Sequence, residues 1–193
     1  MIQAVVLAAG RSVRFGGGVP KQLAPLGGES LVAHAVRAAS AIGTPLVVVS
    51  DDRVAAAVGE TDVVRNEEPA RGIASSLQVA LRAVADRAEV DAVVVGLADT
   101  PLVGREAYQR LAAASAPLAY ATYNGQRGNP VRIGREHWDE ALALEGDEGA
   151  RVLFRHHDAL AVPCDGTGDP TDVDTPADLA DLETRWRSTT ASE

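Results

Sequence analysis

The sequence has little cysteine, few aromatic residues and almost no lysine. Of its 193 residues one is cysteine, Cys164, and 4% are aromatic. A single cysteine excludes an internal disulfide, and no group of Cys and His residues has the spacing of a zinc site. No run of 18 or more apolar residues is present, and the first residues do not resemble an export signal. We therefore expect a soluble, cytoplasmic protein that does not act at a membrane.

Lysine is rare because 17 of the 18 basic residues are arginine, and Lys21 is the one exception. Codon bias in a GC-rich genome accounts for the imbalance as a whole. Such a bias replaces lysine wherever arginine serves equally well. The remaining lysine is therefore a candidate for a position that favours a compact ammonium group over the broad planar fork of arginine, and chance survival is the alternative.

Charge is unevenly distributed along the chain. The formal net charge of -9 argues against a nucleic-acid partner, which would need a basic surface. Residues 1–37 nevertheless carry four basic side chains and one acidic side chain, whereas residues 164–193 carry eight acidic and two basic ones. A positive beginning in an acidic chain indicates a small anionic ligand.

Short apolar runs alternate with helical patterns. Ile2–Ala8 and Ala92–Leu97 are continuous apolar stretches typical of buried strands, and residues 73–88 have apolar positions at helical spacing. Residues 9–29 are rich in glycine and are expected to form a loop, and residues 130–133 a short strand after a turn and a polar loop. The alternation predicts a three-layer α/β/α fold with a mostly parallel sheet. Such sheets bind ligands at the carboxyl ends of their strands.

The segment after the first predicted strand combines glycines with three cations, Arg11, Arg14 and Lys21. Glycines allow backbone N–H groups to surround a phosphate, and the cations can neutralise its charge. The spacing fits neither the dinucleotide-binding fingerprint nor the Walker loop, because Lys21 lies between Pro20 and Gln22. A phosphate-binding loop is the favoured interpretation, and an ordinary surface loop is the alternative.

The run LAAGRSVRFGGGVPKQL, residues 7–23, resembles the signature of nucleotidyltransferases with a glycosyltransferase-A-like (Rossmann-like) fold. Three other segments extend the resemblance: residues 66–77, residues 96–103 with the sequence GLADTPLV, and residues 172–179 with DVDTPADL. Within that superfamily the chain most resembles the molybdenum-cofactor nucleotidyltransferase family. Phe15 stands where the family usually has Met, and Asn129 where it has His.

The resemblance implies a set of site residues. The implied nucleotide-binding residues are Leu7, Ala8, Ala9, Gly10, Arg11, Lys21, Gly72, Ser75, Ser76 and Asp99. Catalytic roles fall on Arg11, Lys21 and Asp99. The implied metal ligands are Asp99 and Asp172, whose hard oxygen donors suit Mg²⁺, and Asp174 is an open question. Ordinary helix capping is the alternative role for the serines and aspartates.

The resemblance also implies a reaction. The expected activity is transfer of CMP from CTP to the molybdenum–molybdopterin cofactor with release of pyrophosphate, for delivery to a recipient molybdoenzyme. The choice of CTP depends on Ala9, because Leu-Ala-Ala-Gly tends to accompany the cytidylyl branch and Leu-Ala-Gly-Gly the guanylyl branch. The alternatives are GTP as donor, methylerythritol phosphate as acceptor, and a non-catalytic chaperone that binds the nucleotide or cofactor.

We expect one domain over residues 1–193. Its nucleotide-binding part covers about residues 1–103, and its acceptor-binding part, with the second metal ligand, about residues 104–187. Residues 188–193 are expected to form a tail. The run Gly146–Arg151 resembles a family segment associated with the molybdopterin-type phosphate acceptor, although Asp147 is also a candidate helix cap.

Overall fold

A computed structural model describes residues 1–16 and 18–190, with no account of the side chains of residues 189 and 190. It contains the predicted alternation of strands and helices. The strands are β1 (Ile2–Leu7), β2 (Pro25–Leu26), β3 (Glu29–Ser30), β4 (Leu46–Val49), β5 (Asp62–Arg65), β6 (Ala92–Leu97), β7 (Leu118–Tyr123), β8 (Gln126–Gly134) and β9 (Leu160–Pro163). The helices are α1 (Leu31–Ala39), α2 (Asp52–Ala56), α3 (Ile73–Val84), α4 (Arg105–Ala112), α5 (Trp138–Leu142), α6 (Leu153–His156) and α7 (Pro176–Thr190).

Seven strands form one sheet in the order β5-β4-β1-β6-β8-β7-β9. Strand β1 pairs in parallel with β4 and β6, and β4 with β5, so four neighbouring strands end at the same edge of the sheet. Strand β8 runs antiparallel to β6 and β7. The predicted α/β class with a mostly parallel, Rossmann-like sheet is confirmed.

Alternation along β1 places side chains on both faces of the sheet. Val6 belongs to a core shared with α1 and α4, and Val5 to a core shared with α3, α5 and α6. Both side chains have no exposed surface. Because each face is covered by helices, the strands are continuously apolar, as in other buried parallel sheets. The three-layer arrangement is confirmed.

A third, smaller cluster joins the beginning of the chain to its end. Leu26 of β2 and Leu31 of α1 pack with Val173 and with Leu182 of α7. All four side chains are fully buried. This cluster holds the segment before α7 against the loop that follows β1.

Several boundaries differ from the predicted ones. The expected loop over residues 9–29 contains a 3-10 turn, Lys21–Leu23, and the hairpin of β2 and β3. The polar loop expected before residue 130 is part of β8, because a two-residue turn at Asn124 and Gly125, both with positive φ, closes the β7–β8 hairpin directly.

The helices also differ at their ends. Helix α3 ends at Val84, four residues before its predicted end. Helix α7 continues to Thr190, into the segment expected to be a tail, and residues 191–193 lie outside the described residues. Among the described residues, no helix is both long enough and apolar enough to cross a membrane.

Candidate functional site

A cavity of about 670 Å³ lies beyond the carboxyl ends of β1 and β6. The predicted site residues that line it are Leu7, Ala9, Gly10, Arg11, Lys21, Gly72, Ser76, Asp99 and Asp172. Two predicted residues do not line it. Ala8 is buried in the core shared with α1, and Ser75 faces a separate small cavity. The fold thus brings distant parts of the sequence to the edge at which parallel sheets bind ligands.

Side-chain hydrogen bonds fix the shape of the loop after β1. The Ser12 hydroxyl accepts a hydrogen bond from the Lys21 backbone N–H at 2.9 Å. The Gln22 amide donates to the carbonyl of Gly10 at 2.8 Å, and the Ser12 hydroxyl donates to Gln22 Oε1 at 3.2 Å. Ser12 has φ = 55°, a left-handed conformation that a non-glycine residue adopts only when its surroundings impose it. Sequence reasoning had given Gln22 no role, yet it closes this loop.

Lys21 lies between two carboxylates at the floor of the cavity. Its Nζ is 2.9 Å from Asp99 Oδ2 and 2.9 Å from Asp174 Oδ1. Burial by itself would lower the pKa of Lys21, but the charges and hydrogen bonds of Asp99 and Asp174 outweigh burial and raise it above 10.5. The ammonium group is therefore charged throughout the physiological pH range.

Asp99 and the segment before α7 are joined through the backbone. The N–H of Val173 donates to the carbonyl of Asp99 at 2.8 Å. Val173 is buried, and the aspartates on either side of it, Asp172 and Asp174, line the cavity. Asp174 pairs with Lys21, whereas Asp172 is exposed at the cavity surface. The assignment of Asp172 as second metal ligand stays a prediction, with Asp174 as its neighbour.

The donors around Asp99 fit a hard divalent cation. Asp99 Oδ1 is buried and has no hydrogen-bond partner among the described residues. A buried carboxylate oxygen without a partner is costly, and a bound cation would satisfy it. The other candidate ligands, Asp172 and Asp174, offer only carboxylate oxygens, which Mg²⁺ and similar ions prefer.

The two loop arginines have different surroundings. Arg14 pairs with Asp174 Oδ2 at 2.8 Å, but 72% of its side chain is exposed, so solvent screens the interaction. Arg11 is exposed, lines the cavity, and makes no ion pair within the described part of the chain. Its guanidinium group is thus free to approach an anion in the cavity.

The opposite wall is formed where β5 leads into α3. Asn66 is buried, and its amide donates to the hydroxyls of Ser75 at 2.9 Å and Ser76 at 3.0 Å. Ser75 in turn donates to the carbonyl of Gly72 at 2.8 Å. Gly72 has φ = 85°, and a Cβ atom there would lie 2.3 Å from the carbonyl oxygen of Gly146. Asn66 and Ser75 therefore hold the wall, whereas Gly72 and Ser76 reach the cavity itself.

A second cavity, of about 370 Å³, adjoins the first and shares Leu7, Asp147 and Arg151 with it. Its wall includes apolar side chains and Arg127, whose guanidinium carbon lies 3.9 Å from the centroid of the Tyr120 ring. Asp147, a candidate helix cap by sequence, instead lines both cavities. Two adjoining cavities can hold two molecules at once, one of them anionic and the other with an apolar part.

Known proteins resemble this chain in sequence and in fold. Residues 4–161 match the family described as MobA-like NTP transferase domain. The chain is 31% identical to Rv0371c from Mycobacterium tuberculosis H37Rv, whose crystal structure superposes with a TM-score of 0.82 over 95% of this chain and 97% of that one. A structure of Rv0371C in complex with manganese is 28% identical, with a TM-score of 0.79 over 95% of this chain and 98% of that one.

One relative whose name states an activity matches a smaller part of this chain. The 2-C-methyl-D-erythritol 4-phosphate cytidylyltransferase of Cereibacter sphaeroides is 34% identical over 144 residues, which are 66% of this chain and 64% of that protein. The bifunctional protein GlmU of Azoarcus is 30% identical over 139 residues, 69% of this chain and 30% of that protein. The chain therefore spans from about a third to under two thirds of the length of these relatives.

Proposed function

The chain belongs to the MobA-like NTP transferase family, and from that premise we propose that it transfers CMP from CTP to the molybdenum–molybdopterin cofactor with Mg²⁺ as the metal. In this reaction an acceptor phosphate oxygen attacks the α-phosphorus of CTP. One P–O bond forms, the bond from the α-phosphorus to the bridging oxygen breaks, and pyrophosphate leaves. No covalent intermediate with the protein is needed, so the protein supplies positioning and charge stabilisation.

The observation that carries this proposal is the position of Lys21 between Asp99 and Asp174, beside a glycine-rich loop and within one cavity. The loop over residues 7–14 supplies backbone N–H groups and the Arg11 guanidinium for the phosphates. Lys21 stabilises the charge that develops on the leaving pyrophosphate. Asp99, with Asp172 or Asp174, would hold Mg²⁺, which when bound neutralises phosphate oxygens.

The preference for CTP rests on Ala9 and on a cytidylyltransferase among the relatives. Ala9 lines the cavity directly after β1. The Leu-Ala-Ala-Gly run, residues 7–10, is the form that tends to accompany cytidylyl transfer within the family. The Cereibacter relative, a cytidylyltransferase by name, supports the same nucleotide.

The acceptor is assigned to the adjoining cavity. Its position next to the nucleotide cavity permits an acceptor phosphate to reach the α-phosphorus, with Arg151 shared between the two sites. Apolar side chains such as Leu77 and Phe154 suit the flat ring system of a pterin. A guanidinium such as that of Arg127 or Arg151 can bind its phosphate.

Methylerythritol phosphate is the second candidate acceptor, and the 34% identity with the Cereibacter enzyme favours it. The two acceptors differ in size and polarity, because methylerythritol phosphate lacks an apolar ring. Leu77 and Phe154, which line the cavity, would then face a polar molecule. The pterin therefore fits this cavity better.

The test measures pyrophosphate release with Mg²⁺ for each combination of CTP or GTP with each acceptor. We expect release with CTP and the molybdenum–molybdopterin cofactor. Faster release with GTP would overturn the nucleotide assignment, and release with methylerythritol phosphate alone would overturn the acceptor. Tight nucleotide binding without release from any combination would indicate a chaperone that carries the nucleotide or cofactor to a recipient molybdoenzyme.

A further inference from the structure

Three of the four histidines of the chain gather around one carboxylate, on a surface separate from the nucleotide cavity. Glu140 is 2.5 Å from His157 Nε2 and 3.5 Å from His156 Nδ1. The ring centroids of His137 and His157 are 4.7 Å apart. The fourth histidine, His34, is buried elsewhere and bonded to a backbone carbonyl at 2.8 Å.

We propose that His137, Glu140 and His157 form a binding site for a transition-metal ion of the zinc type. One ligand atom from each of the three residues lies within 4.8 Å of the others. Around a tetrahedral zinc ion with bonds of about 2.0–2.1 Å, ligand atoms are about 3.3 Å apart. Rotation of these partly exposed side chains can bring the ligand atoms to this spacing without a change in the backbone.

The chemical types of the three ligands indicate which metal ions the site would bind. Two imidazoles and a carboxylate suit Zn²⁺, Co²⁺ or Ni²⁺, whereas Mg²⁺ prefers oxygen donors alone. A water molecule or His156 can complete a tetrahedral set.

The ligands come from two separate segments. His137 and Glu140 lie at the beginning of α5, and His157 directly follows α6. A bound ion would therefore join the end of α6 to α5. Helix α6 begins just after Ala150 and Arg151, which line the adjoining cavity, so the ion would hold one wall of that cavity in place. None of the three ligands lines the cavities described above.

The alternative is a simple ion pair between Glu140 and protonated histidines. To distinguish the two, untagged full-length protein freed of metal is titrated with Co²⁺ in excess Mg²⁺, which occupies oxygen-only sites. Visible absorption reports nitrogen-ligated Co²⁺. We expect one equivalent of Co²⁺ to bind, and one equivalent of Zn²⁺ to displace it.

Variants locate the site. His137→Ala, His157→Gln and Glu140→Gln should each bind Co²⁺ at least about 10-fold more weakly, because even the loss of an outer-shell partner costs that much. Asp139→Asn is the matched control, since it removes one exposed carboxylate from the same helix and should leave binding unchanged. Circular dichroism shows whether each variant folds. If His137→Ala does not fold, the Co²⁺ affinity of His157→Gln tests the site in its place.

Absence of the Co²⁺ spectrum in the wild-type protein would overturn the proposal and leave only the ion pair. Equal Co²⁺ affinity in the wild-type protein and in both histidine variants would overturn it as well. The measurement does not depend on nucleotidyl transfer, so failure of this site and failure of the proposed function are separable.

Discussion

Replacement of Lys21 by Met tests the centre of the site. The change removes the ammonium group and keeps an unbranched side chain of similar length. Asp99 and Asp174 would then face each other without the cation that separates them. Because 9% of the Lys21 side chain and 27% of each aspartate side chain are exposed, water can compensate the two carboxylates only in part.

The distances set the size of the effect on stability. At 2.9 Å, each of the two charge pairs is worth about 1.4 kcal/mol in a medium like water and about 6 kcal/mol at an effective dielectric constant of about 20. The cost of burying the ammonium offsets much of this attraction. Loss of one partner of a fully buried pair costs about 3–5 kcal/mol. For carboxylates that are partly exposed, we expect the free energy of unfolding to fall by about 2 kcal/mol.

The matched control is Arg14→Met, which removes a cation from the same Asp174 carboxylate. The Arg14 side chain is 72% exposed, so its loss should lower the free energy of unfolding by at most about 1 kcal/mol. Added Mg²⁺ should restore Lys21→Met more than it restores Arg14→Met, since only the former leaves two carboxylates uncompensated. Urea unfolding with and without Mg²⁺ measures both differences.

Turnover should respond more strongly than stability. Loss of a preorganised charge that stabilises a transition state typically lowers kcat by about 10²–10³-fold. We expect Lys21→Ala and Lys21→Met to show losses of that size in pyrophosphate release, and Lys21→Arg to be impaired too. Wild-type turnover in Lys21→Arg, or equal stability of Lys21→Met and Arg14→Met, would refute the role of this ammonium group.

Three other predictions concern the surrounding residues. Asp99→Asn should lower turnover at least about 10²-fold and raise the Mg²⁺ concentration needed for half-maximal rate; an unchanged Mg²⁺ titration would disprove a ligand role. The same Mg²⁺ titration of Asp172→Asn and Asp174→Asn should identify the second metal ligand, because its loss should cause the larger rise in the Mg²⁺ concentration needed for half-maximal rate. If this concentration changes in neither variant, neither aspartate is the second ligand. Gly72→Ala should lower the free energy of unfolding by about 2 kcal/mol or more, because its φ is 85° and a Cβ atom would meet Gly146; unchanged urea denaturation would contradict this.

Local patterns were sufficient to predict most of the fold. Strand β6 coincides with its predicted bounds, because a continuous apolar run ended by polar residues is unambiguous in an α/β chain. The loop after β1 was predicted from glycines and cations that lie close together in the sequence. Where side chains interact only with neighbours along the chain, the sequence is sufficient.

The less predictable parts depend on distant contacts. Asn66 and Gln22 are isolated polar residues with no periodic pattern, and their roles depend on partners that the fold brings to them. The polar beginning of β8 resembled a loop because its residues are solvated at the end of a hairpin. Asn66 did carry one usable signal, its position at the carboxyl end of a strand.

The pairing of Lys21 with Asp174 rather than Asp172 could not be read from the sequence. In an extended segment, residues two positions apart point the same way, so the pattern Asp-Val-Asp predicts only that both carboxylates face away from the buried Val173. Val173 packs with Leu182 of α7 and donates its N–H to the carbonyl of Asp99, and these contacts hold the segment beside the end of β6. These contacts join distant parts of the chain, so the position of the segment depends on the tertiary structure alone.

Lysine is rare in this chain, and the geometry accounts for a lysine at this position. An ammonium group has three donors, and Asp99 and Asp174 accept two hydrogen bonds from Lys21 Nζ. The third donor stays available for a phosphate oxygen. A guanidinium has five donors in a rigid plane, and in a position that is 7% exposed several of them would lack acceptors. A compact cation can therefore bridge the two carboxylates and still reach an incoming phosphate, which the fork of arginine cannot do in the same space.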